Sequence, residues 1–470
     1  MRRRDFLRIT AAGSALLGAP AWMAACGGRG GGRGTAPLQI AEATAAWIRS
    51  TGRESGGGTT WPAVPGESDA AALNLYSGTP GVILFFLELY EATGDPTYLK
   101  DAQDGAFLLQ GAYLEAGGWP SAAGSSPEDP ALSDPGLYTG GAGVAFTLSE
   151  TFRVGGDDRF RAGAAELFGA ALGTGKAEGD GLAWYTAGSE TASYDIISGG
   201  AGIGLSLLYG YENLDFSEAL DGATQAGRYL MNKARPGEGG LRWPMSEAYP
   251  RLMPNFSHGT AGVAYFLARL AEATGDEEFL DSAILGARYL QTISRCTEDG
   301  CLVFHHEPEG ENLFYLGWCH GPTGTARLFH QLGRVTGEGE WDDWVLRNAK
   351  GIRDQGIPEN RPEGYWNNVS QCCGDAGVGD FFLSLGAASG DGDHGNFARH
   401  LGDYIMGEAS QDHAGVRWSQ AENRTQPEFV QAQTGWMQGA AGIGAFFLHL
   451  DGASKGRPPT VRFPDSPWLG

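Results

Sequence analysis

Residues 259–275 read GTAGVAYFLARLAEATG, and this stretch decides the fold. It opens with the motif Gly-x-x-Gly, continues as an apolar run and ends at Gly275, thirteen residues after Gly262. Thirteen residues in a helix span about 20 Å, and glycine is the usual left-handed residue after a helix end. Because nearly every side of this run is apolar, the pattern predicts a helix that is buried on most of its faces.

The Gly-x-x-Gly motif ahead of an apolar run occurs seven times, at a period of about 60 residues. Five of the runs end at a second glycine thirteen residues after the motif: Gly94, Gly156, Gly275, Gly337 and Gly390. The first glycines of the seven motifs are Gly78, Gly140, Gly199, Gly259, Gly321, Gly374 and Gly439. One Gly-x-x-Gly has no value as a signal, but seven at a steady period indicate an internal repeat. Between the motifs lie amphipathic segments such as residues 279–290, followed by loops rich in Gly, Trp and Pro. Each repeat therefore supplies one buried helix and one half-exposed helix.

Repeats of this kind must stack to bury their apolar faces. An open solenoid needs polar end caps, and neither the first nor the last copy is conspicuously polar. We therefore predict an all-α fold, a closed (α/α)7 toroid of seven inner and seven outer helices, in one domain over residues 41–470. In such a ring the seven motif loops meet at one end, around a central cavity.

Charge limits the partners of this chain. The 470 residues carry a net charge of −23, whereas a nucleic-acid partner needs Lys and Arg to neutralise its phosphates. The same charge argues against adhesion to anionic lipid. We expect a monomer without a nucleic-acid partner.

The first 40 residues predict an export segment rather than part of the fold. Residues 1–26 combine a basic, twin-arginine start with an apolar run, which is typical of a twin-arginine signal. They end in MAAC, which resembles a lipoprotein box and makes Cys26 the predicted lipidated residue; the alternative is an ordinary cleaved signal with an incidental cysteine. Residues 27–40 are a Gly-rich tether. We expect an extracytoplasmic bacterial protein that meets the membrane only through its lipid anchor.

Metal-binding chemistry is concentrated next to the glycine motifs. Around the ring, the residues before the motifs are Ser77, Thr139, Ser198, His258, His320, Cys373 and Gln438, and one position further back stand Cys319 and Cys372. Thiols and imidazoles at adjacent helix N-termini form a zinc-type ligand set, and three protein ligands leave one position open. The adjacent pair Cys372 and Cys373 has two other interpretations, buried small residues or a vicinal disulfide, but the matching Cys319 favours the metal.

Four motifs in this chain resemble those of the lanthionine synthetase C family, which are zinc-dependent cyclases with a seven-fold α/α toroid. The matching segments are residues 317–321 (GWCHG, similar to Trp-Cys-Tyr-Gly), 372–374 (CCG, similar to Cys-His-Gly), 257–262 (SHGTAG) and 194–199 (YDIISG). The resemblance extends from about residue 41 to residue 450, and the zinc motifs are its most specific part.

The resemblance implies that Cys319, Cys372 and Cys373 bind Zn²⁺ and that His258 and Asp195 transfer protons beside the metal. Zinc lowers the pKa of a bound thiol, so that a thiolate forms near neutral pH. That thiolate can add to the β-carbon of a dehydroalanine or dehydrobutyrine, and histidine suits the proton transfer that follows. We therefore predict thioether formation on a peptide or a small-molecule thiol.

Two features depart from the family and leave alternatives open. Tyr315 stands where cyclases of this family usually have an arginine, and His320 stands where they have a tyrosine. His320 has two interpretations, an added acid or base or a residue that hydrogen-bonds the loop. Lantibiotic cyclases also act in the cytoplasm, whereas this chain has an export signal. The alternatives are a carbohydrate-processing toroid that uses Asp195, Asp375 or Asp380, and a non-catalytic surface protein that binds zinc or peptide.

The remaining cysteines predict a structural link. Cys296 and Cys301 flank TEDG, a turn-forming stretch, and in an exported protein this spacing predicts a local disulfide; a spare metal site is the alternative. His305 and His306 follow closely and are expected to be loop residues.

Overall fold

The computed structural model describes residues 36–66, 72–115, 134–185, 189–249, 251–361, 365–366 and 368–468. The predicted signal (1–26) with Cys26, and the tether as far as residue 35, lie outside the described residues. The first helix begins at Pro37, within the segment assigned to the tether.

Fourteen helices account for most of the described residues. In chain order they are α1 (Pro37–Thr51), α2 (Thr79–Thr93), α3 (Pro96–Glu115), α4 (Gly141–Gly155), α5 (Asp158–Thr174), α6 (Gly200–Leu214), α7 (Glu218–Asn232), α8 (Thr260–Thr274), α9 (Glu277–Ile293), α10 (Pro322–Thr336), α11 (Gly339–Arg353), α12 (Asp375–Ser389), α13 (Gly392–Gly407) and α14 (Ala440–Ser454). The even-numbered helices each follow a Gly-x-x-Gly glycine and form the inner ring. The odd-numbered helices pack outside them.

The ring closes through the two ends of the folded chain. Helix α14 packs against α2, which completes the inner circle, and α1 packs against α14 as the outer helix of the last repeat. The predicted all-α (α/α)7 toroid is thus confirmed. None of the described helices is both long enough and apolar enough to cross a bilayer.

Short strands pair in the loops between the helices. They are β1 (Arg53–Ser55), β2 (Gly58–Thr60), β3 (Lys176–Glu178), β4 (Gly181–Ala183), β5 (Arg235–Gly237), β6 (Gly240–Arg242), β7 (Arg295–Cys296), β8 (Cys301–Leu302), β9 (Phe314–Tyr315), β10 (Tyr365–Trp366), β11 (Ser410–Asp412), β12 (Gly415–Arg417), β13 (Ser419–Ala421) and β14 (Val430–Ala432). Five antiparallel hairpins each follow an outer helix. The other two sheets, parallel β9–β10 and antiparallel β13–β14, lie outside this repeated pattern.

Burial follows the predicted division between inner and outer helices. In α2 every residue from 79 to 89 is buried, whereas α9 buries one face that includes Phe279, Ala283 and Leu290. Five inner helices end at the predicted glycines, whose φ angles of 71–74° lie in the left-handed region.

Close backbone packing explains why the second motif glycine recurs. A Cβ at Gly324 would lie 2.0 Å from the carbonyl oxygen of Trp318, and one at Gly377 would lie 2.1 Å from that of Gln371. Only glycine leaves room for the loop to cross the start of the helix at this distance. The motif therefore holds the residues just before each inner helix against the mouth of the ring.

One backbone hydrogen bond joins each motif loop to the next, and the seven bonds form a closed circle. The donors and acceptors are Tyr76 to Tyr138, Tyr138 to Ile197, Ile196 to Ser257, Ser257 to Cys319, Cys319 to Cys372, Cys372 to Met437 and Met437 to Tyr76, at 2.8–3.1 Å. Two of the three candidate metal ligands belong to this circle, so their backbones are fixed by the ring itself.

Candidate metal centre

The structure brings Cys319, Cys372 and Cys373 together at the mouth of the ring. Their sulfur atoms all lie within 4.8 Å of one another. The Cys373 sulfur is 3.4 Å from that of Cys319 and 3.5 Å from that of Cys372. All three residues are buried and none is in a disulfide.

The arrangement of the sulfurs fits a zinc ion. A tetrahedral site with Zn–S bonds of about 2.3 Å requires sulfur atoms roughly 3.8 Å apart. The separations of Cys373 from its two neighbours, 3.4 and 3.5 Å, are close to that value. Three converging thiols would leave one coordination position for a substrate.

The sulfurs have few other partners, and these stabilise negative charge. Hydrogen bonding with the thiols of Cys319 and Cys372 holds the pKa of Cys373 well below its usual range, whereas burial raises the pKa of the other two thiols. The Tyr76 hydroxyl donates to the Cys372 sulfur at 3.3 Å. The Gln438 amide donates to the Cys373 sulfur at 3.7 Å. Both donors point at sulfur atoms of the cluster and would stabilise negative charge on them.

His258 and Asp195 form a hydrogen-bonded pair beside the thiols. Nδ1 of His258 lies 2.6 Å from Oδ2 of Asp195, whose side chain is fully buried. The other carboxylate oxygen accepts a hydrogen bond from the Ser198 backbone N–H at 3.0 Å. This pairing leaves Nε2 as the nitrogen of His258 available to a ligand.

His320 is buried between other rings. It stacks on His305 with ring centres 3.9 Å apart and planes 9° apart, and its ring centre lies 5.5 Å from that of His258. Within the described part of the chain, neither ring nitrogen of His320 has a hydrogen-bond partner. Burial lowers the pKa of His320 and lowers that of His305 to about 3. His320 therefore does not hydrogen-bond the loop, which was one of its two interpretations.

The thiols and the histidines line one cavity of about 380 Å³, here called the cysteine cavity. Four of the seven residues that precede the motifs contribute to its wall: His258, His320, Cys373 and Gln438. The other three, Ser77, Thr139 and Ser198, are not among the lining residues of this cavity. Ser77 and Ser198 instead hydrogen-bond Asn74 and Asp195 in their own loops.

A loop from the last repeat covers part of this cavity. Residues 422–429, here called the roof loop, join β13 to β14 and contribute Glu422, Arg424 and Phe429 to the lining. Neither the roof loop nor His305 carries a repeat signal, so sequence reasoning missed both. Tyr76 and Gln438, by contrast, stand at motif-adjacent positions, and the repeat register was the signal that could have identified them.

The other candidate residues lie apart from the thiols. Cys296 and Cys301 form a disulfide across the β7–β8 turn, as the spacing predicted. Asp375 pairs with Arg361 at 2.6 Å. Asp380 accepts a hydrogen bond from His449 and lines a different cavity.

Comparison with known proteins identifies the family. Residues 69–461 match the family model described as lanthionine synthetase C-like protein. Among solved structures, nisin cyclase is 18% identical, with 90% of this chain and 94% of that one covered and a TM-score of 0.59. A family 76 α-mannanase of Bacteroides thetaiotaomicron is 10% identical, with coverages of 90% and 97% and a TM-score of 0.49. A search of curated proteins finds no match.

The likeness to the solved structures concerns the fold alone, whereas the family model covers most of the chain. The matched region contains all three clustered thiols together with the His258–Asp195 pair. This chain therefore belongs to the lanthionine synthetase C-like family.

Proposed function

We propose that this protein is a zinc-dependent enzyme that adds a thiol to an electrophilic alkene and so forms a thioether. The acceptor class is a dehydroalanine or dehydrobutyrine residue. One observation carries the proposal: three buried thiols and the His258–Asp195 pair open on the same cavity of about 380 Å³.

The three cysteines would hold the metal, and their surroundings keep them in place. Bound zinc would supply the Lewis acidity that turns a substrate thiol into a thiolate near neutral pH. The backbone N–H of Cys319 donates to the carbonyl of Cys372 at 3.1 Å, which fixes the distance between the two loops. Tyr76 and Gln438 orient the sulfurs and are themselves joined by a 3.0 Å hydrogen bond.

His258 would carry the proton between the two substrates. Asp195 holds a proton on Nδ1, so Nε2 can accept the proton that the thiol loses. The sulfur electron pair then forms the C–S bond at the β-carbon, and the alkene π electrons move onto the acceptor carbonyl as an enolate. His258 returns the proton from Nε2 to the α-carbon, which balances the addition without a further reagent.

The wall of the cavity suits a peptide. Five glutamine side chains line it: Gln420, Gln426, Gln431, Gln433 and Gln438. An amide side chain both donates and accepts hydrogen bonds, as a peptide backbone requires. A peptide thiol therefore fits this wall better than a small apolar thiol does.

The carboxylates do not support carbohydrate hydrolysis. That chemistry needs two carboxyl groups that flank one bond. Each of the three candidates is instead paired with a basic side chain: Asp195 with His258, Asp375 with Arg361 and Asp380 with His449.

The test is a thiol-addition assay on the zinc-loaded protein, with a dehydroalanine peptide as acceptor and adduct formation followed by mass spectrometry. We expect His258→Ala to lower the rate at least about 100-fold while zinc is retained. His400→Ala, an exposed histidine paired with Glu359 on the outer ring, serves as the matched control. Zinc bound at stoichiometry without any acceleration by the wild type would instead identify a non-catalytic zinc-binding or peptide-binding protein.

We also propose that the protein is exported and anchored by lipid at Cys26, as a monomer. The signal pattern in residues 1–26 supports this, and a disulfide such as Cys296–Cys301 persists mainly in oxidising compartments. Cell fractionation tests it: Cys26→Ala should move the protein from the membrane fraction to the soluble extracytoplasmic fraction. Retention of the wild type in the cytoplasm would contradict the proposal.

A further inference from the structure

Arg424 places a cation without a carboxylate partner over the cysteine cavity. It belongs to the roof loop and lines the cavity together with the three thiols. In the part of the chain that the structure describes, no carboxylate lies within ion-pair distance of its guanidinium. Arg417, on the preceding strand β12, in contrast pairs with Asp412 at 2.7 Å. Arg424 is exposed and its guanidinium contacts the Tyr315 side chain. An arginine that lines a cavity without a carboxylate partner is available to an anionic ligand.

The roof loop is attached to the same backbone segments that carry the sulfurs. Gln420 on β13 accepts a hydrogen bond from the backbone N–H of Val369 at 2.9 Å and donates to the carbonyl of Gln438 at 2.5 Å. At the tip, the side chain of Asn423 accepts hydrogen bonds from the backbone and the hydroxyl of Thr425. The backbone before Arg424 is therefore fixed by strand β13, and the backbone around it by the turn at Asn423 and Thr425.

The guanidinium of Arg424 lies beside Tyr315, which precedes Cys319, the first of the three thiols, in the sequence. Burial raises the pKa of Tyr315, and the adjacent guanidinium offsets part of that rise. The positive charge enters this region from another repeat, on the β13–β14 hairpin, which lies outside the repeated pattern of the described hairpins.

The charge of the site explains why a cation is needed. Three thiolates around a divalent ion leave one net negative charge, and a substrate thiolate adds another. Glu422 lies in the same wall, where burial and Cys373 raise its pKa. Negative charges concentrated in a partly enclosed cavity repel one another strongly unless a cation lies close. Among the described residues that line the cysteine cavity, Arg424 is the one arginine.

We propose that Arg424 is the anion-binding residue of this site and that it binds a negatively charged oxygen of the substrate. This inference rests on the proposed function. Two oxygens fit: a carboxylate carried by the thiol substrate, or the enolate oxygen that forms as the thiolate adds. The planar guanidinium would donate charge-assisted hydrogen bonds to either.

The first arm of the test measures binding without catalysis. Protein loaded with Co²⁺ is titrated with 3-mercaptopropionate, which is anionic, or with 2-mercaptoethanol, which is neutral, and thiolate-to-cobalt absorption reports binding. If the oxygen belongs to the thiol, Arg424→Gln weakens the anionic thiol at least about tenfold and leaves the neutral thiol unchanged. Arg424→Lys retains part of the preference. The cobalt spectrum before thiol addition shows that each variant is folded.

The second arm measures the addition rate with 2-mercaptoethanol and a dehydroalanine acceptor. If the oxygen is the enolate, Arg424→Gln lowers the maximal rate at least about tenfold at unchanged thiol affinity, and adding Tyr315→Arg restores part of it. Arg161→Gln, an exposed arginine on α5, is the matched control.

Two results overturn the inference. Affinities and rates of Arg424→Gln that stay within threefold of the wild type in both arms overturn this inference alone. A wild-type cobalt protein that binds neither thiol overturns the proposed function and the inference with it.

Discussion

Replacing Asp195 with asparagine should abolish proton transfer by His258 while the fold and the metal remain. The Ser198 backbone N–H donates to Oδ1 of Asp195 at 3.0 Å, so the amide oxygen of the asparagine must stay at that position. The amide nitrogen then replaces Oδ2, 2.6 Å from Nδ1 of His258. Because an amide NH₂ donates, it forces Nδ1 to accept and moves the histidine proton to Nε2.

The wrong tautomer blocks both halves of the transfer. A neutral His258 with its proton on Nε2 cannot accept the thiol proton there, and the doubly protonated ring would place an N–H against the amide NH₂. General acid–base catalysis contributes roughly 100- to 10,000-fold, which corresponds to about 3–5 kcal/mol in the activation free energy. We expect the maximal rate of Asp195→Asn to fall within that range.

The assay is thiol addition at saturating thiol, with zinc content measured on the same sample. Asp380→Asn is the matched control, because Asp380 also accepts from Nδ1 of a histidine, at 2.7 Å, but lies outside the cysteine cavity. It should leave the rate unchanged. An Asp195→Asn protein that keeps its zinc and retains more than a tenth of the wild-type rate would refute the proton-transfer role of the pair.

Two further predictions concern the scaffold. Gly324→Ala should lower the free energy of unfolding by about 1–3 kcal/mol and reduce zinc content, because the new Cβ would lie 2.0 Å from the Trp318 carbonyl oxygen. The control is Gly392→Ala, whose Cβ would meet nothing within 4 Å and which should leave the melting temperature nearly unchanged. Equal effects of the two substitutions would contradict this prediction. Burial alone would lower the pKa of His449, but its two carboxylate partners raise it to about 10. Since the folded pKa exceeds the usual 6.5, His449 should stabilise the protein fully below about pH 6.5 and lose that contribution towards pH 10. His449→Gln should flatten this loss in chemical unfolding measurements, and identical pH dependence in both proteins would contradict it.

The sequence predicted those features that depend on local backbone geometry repeated seven times. The second motif glycine is required wherever a loop carbonyl crosses a helix start, as at Gly324, and the cap glycines are required by a left-handed φ, as at Gly275. Both constraints favour glycine, although Asp215 takes the left-handed position after α6, so glycine recurs at these positions with the period of the repeat. The period of the glycine motif also located Cys319, Cys372 and Cys373 at adjacent helix N-termini, where the structure brings them together.

Features outside the repeat could not be predicted in this way. Arg424 reaches the thiols on a hairpin of the last repeat, and His305 stacks on His320 from a loop whose path follows no period. Both contacts depend on how long loops fold back over the ring.

Zinc stoichiometry tests the central claim most directly. Elemental analysis of the wild type after zinc loading and removal of excess metal should give one zinc per chain. Cys319→Ala and Cys372→Ala should lose it, and Cys373→His should retain it, because an imidazole is the family's usual third ligand. A wild type without stoichiometric zinc, or alanine variants that bind as much as the wild type, would contradict a metal centre at these three thiols.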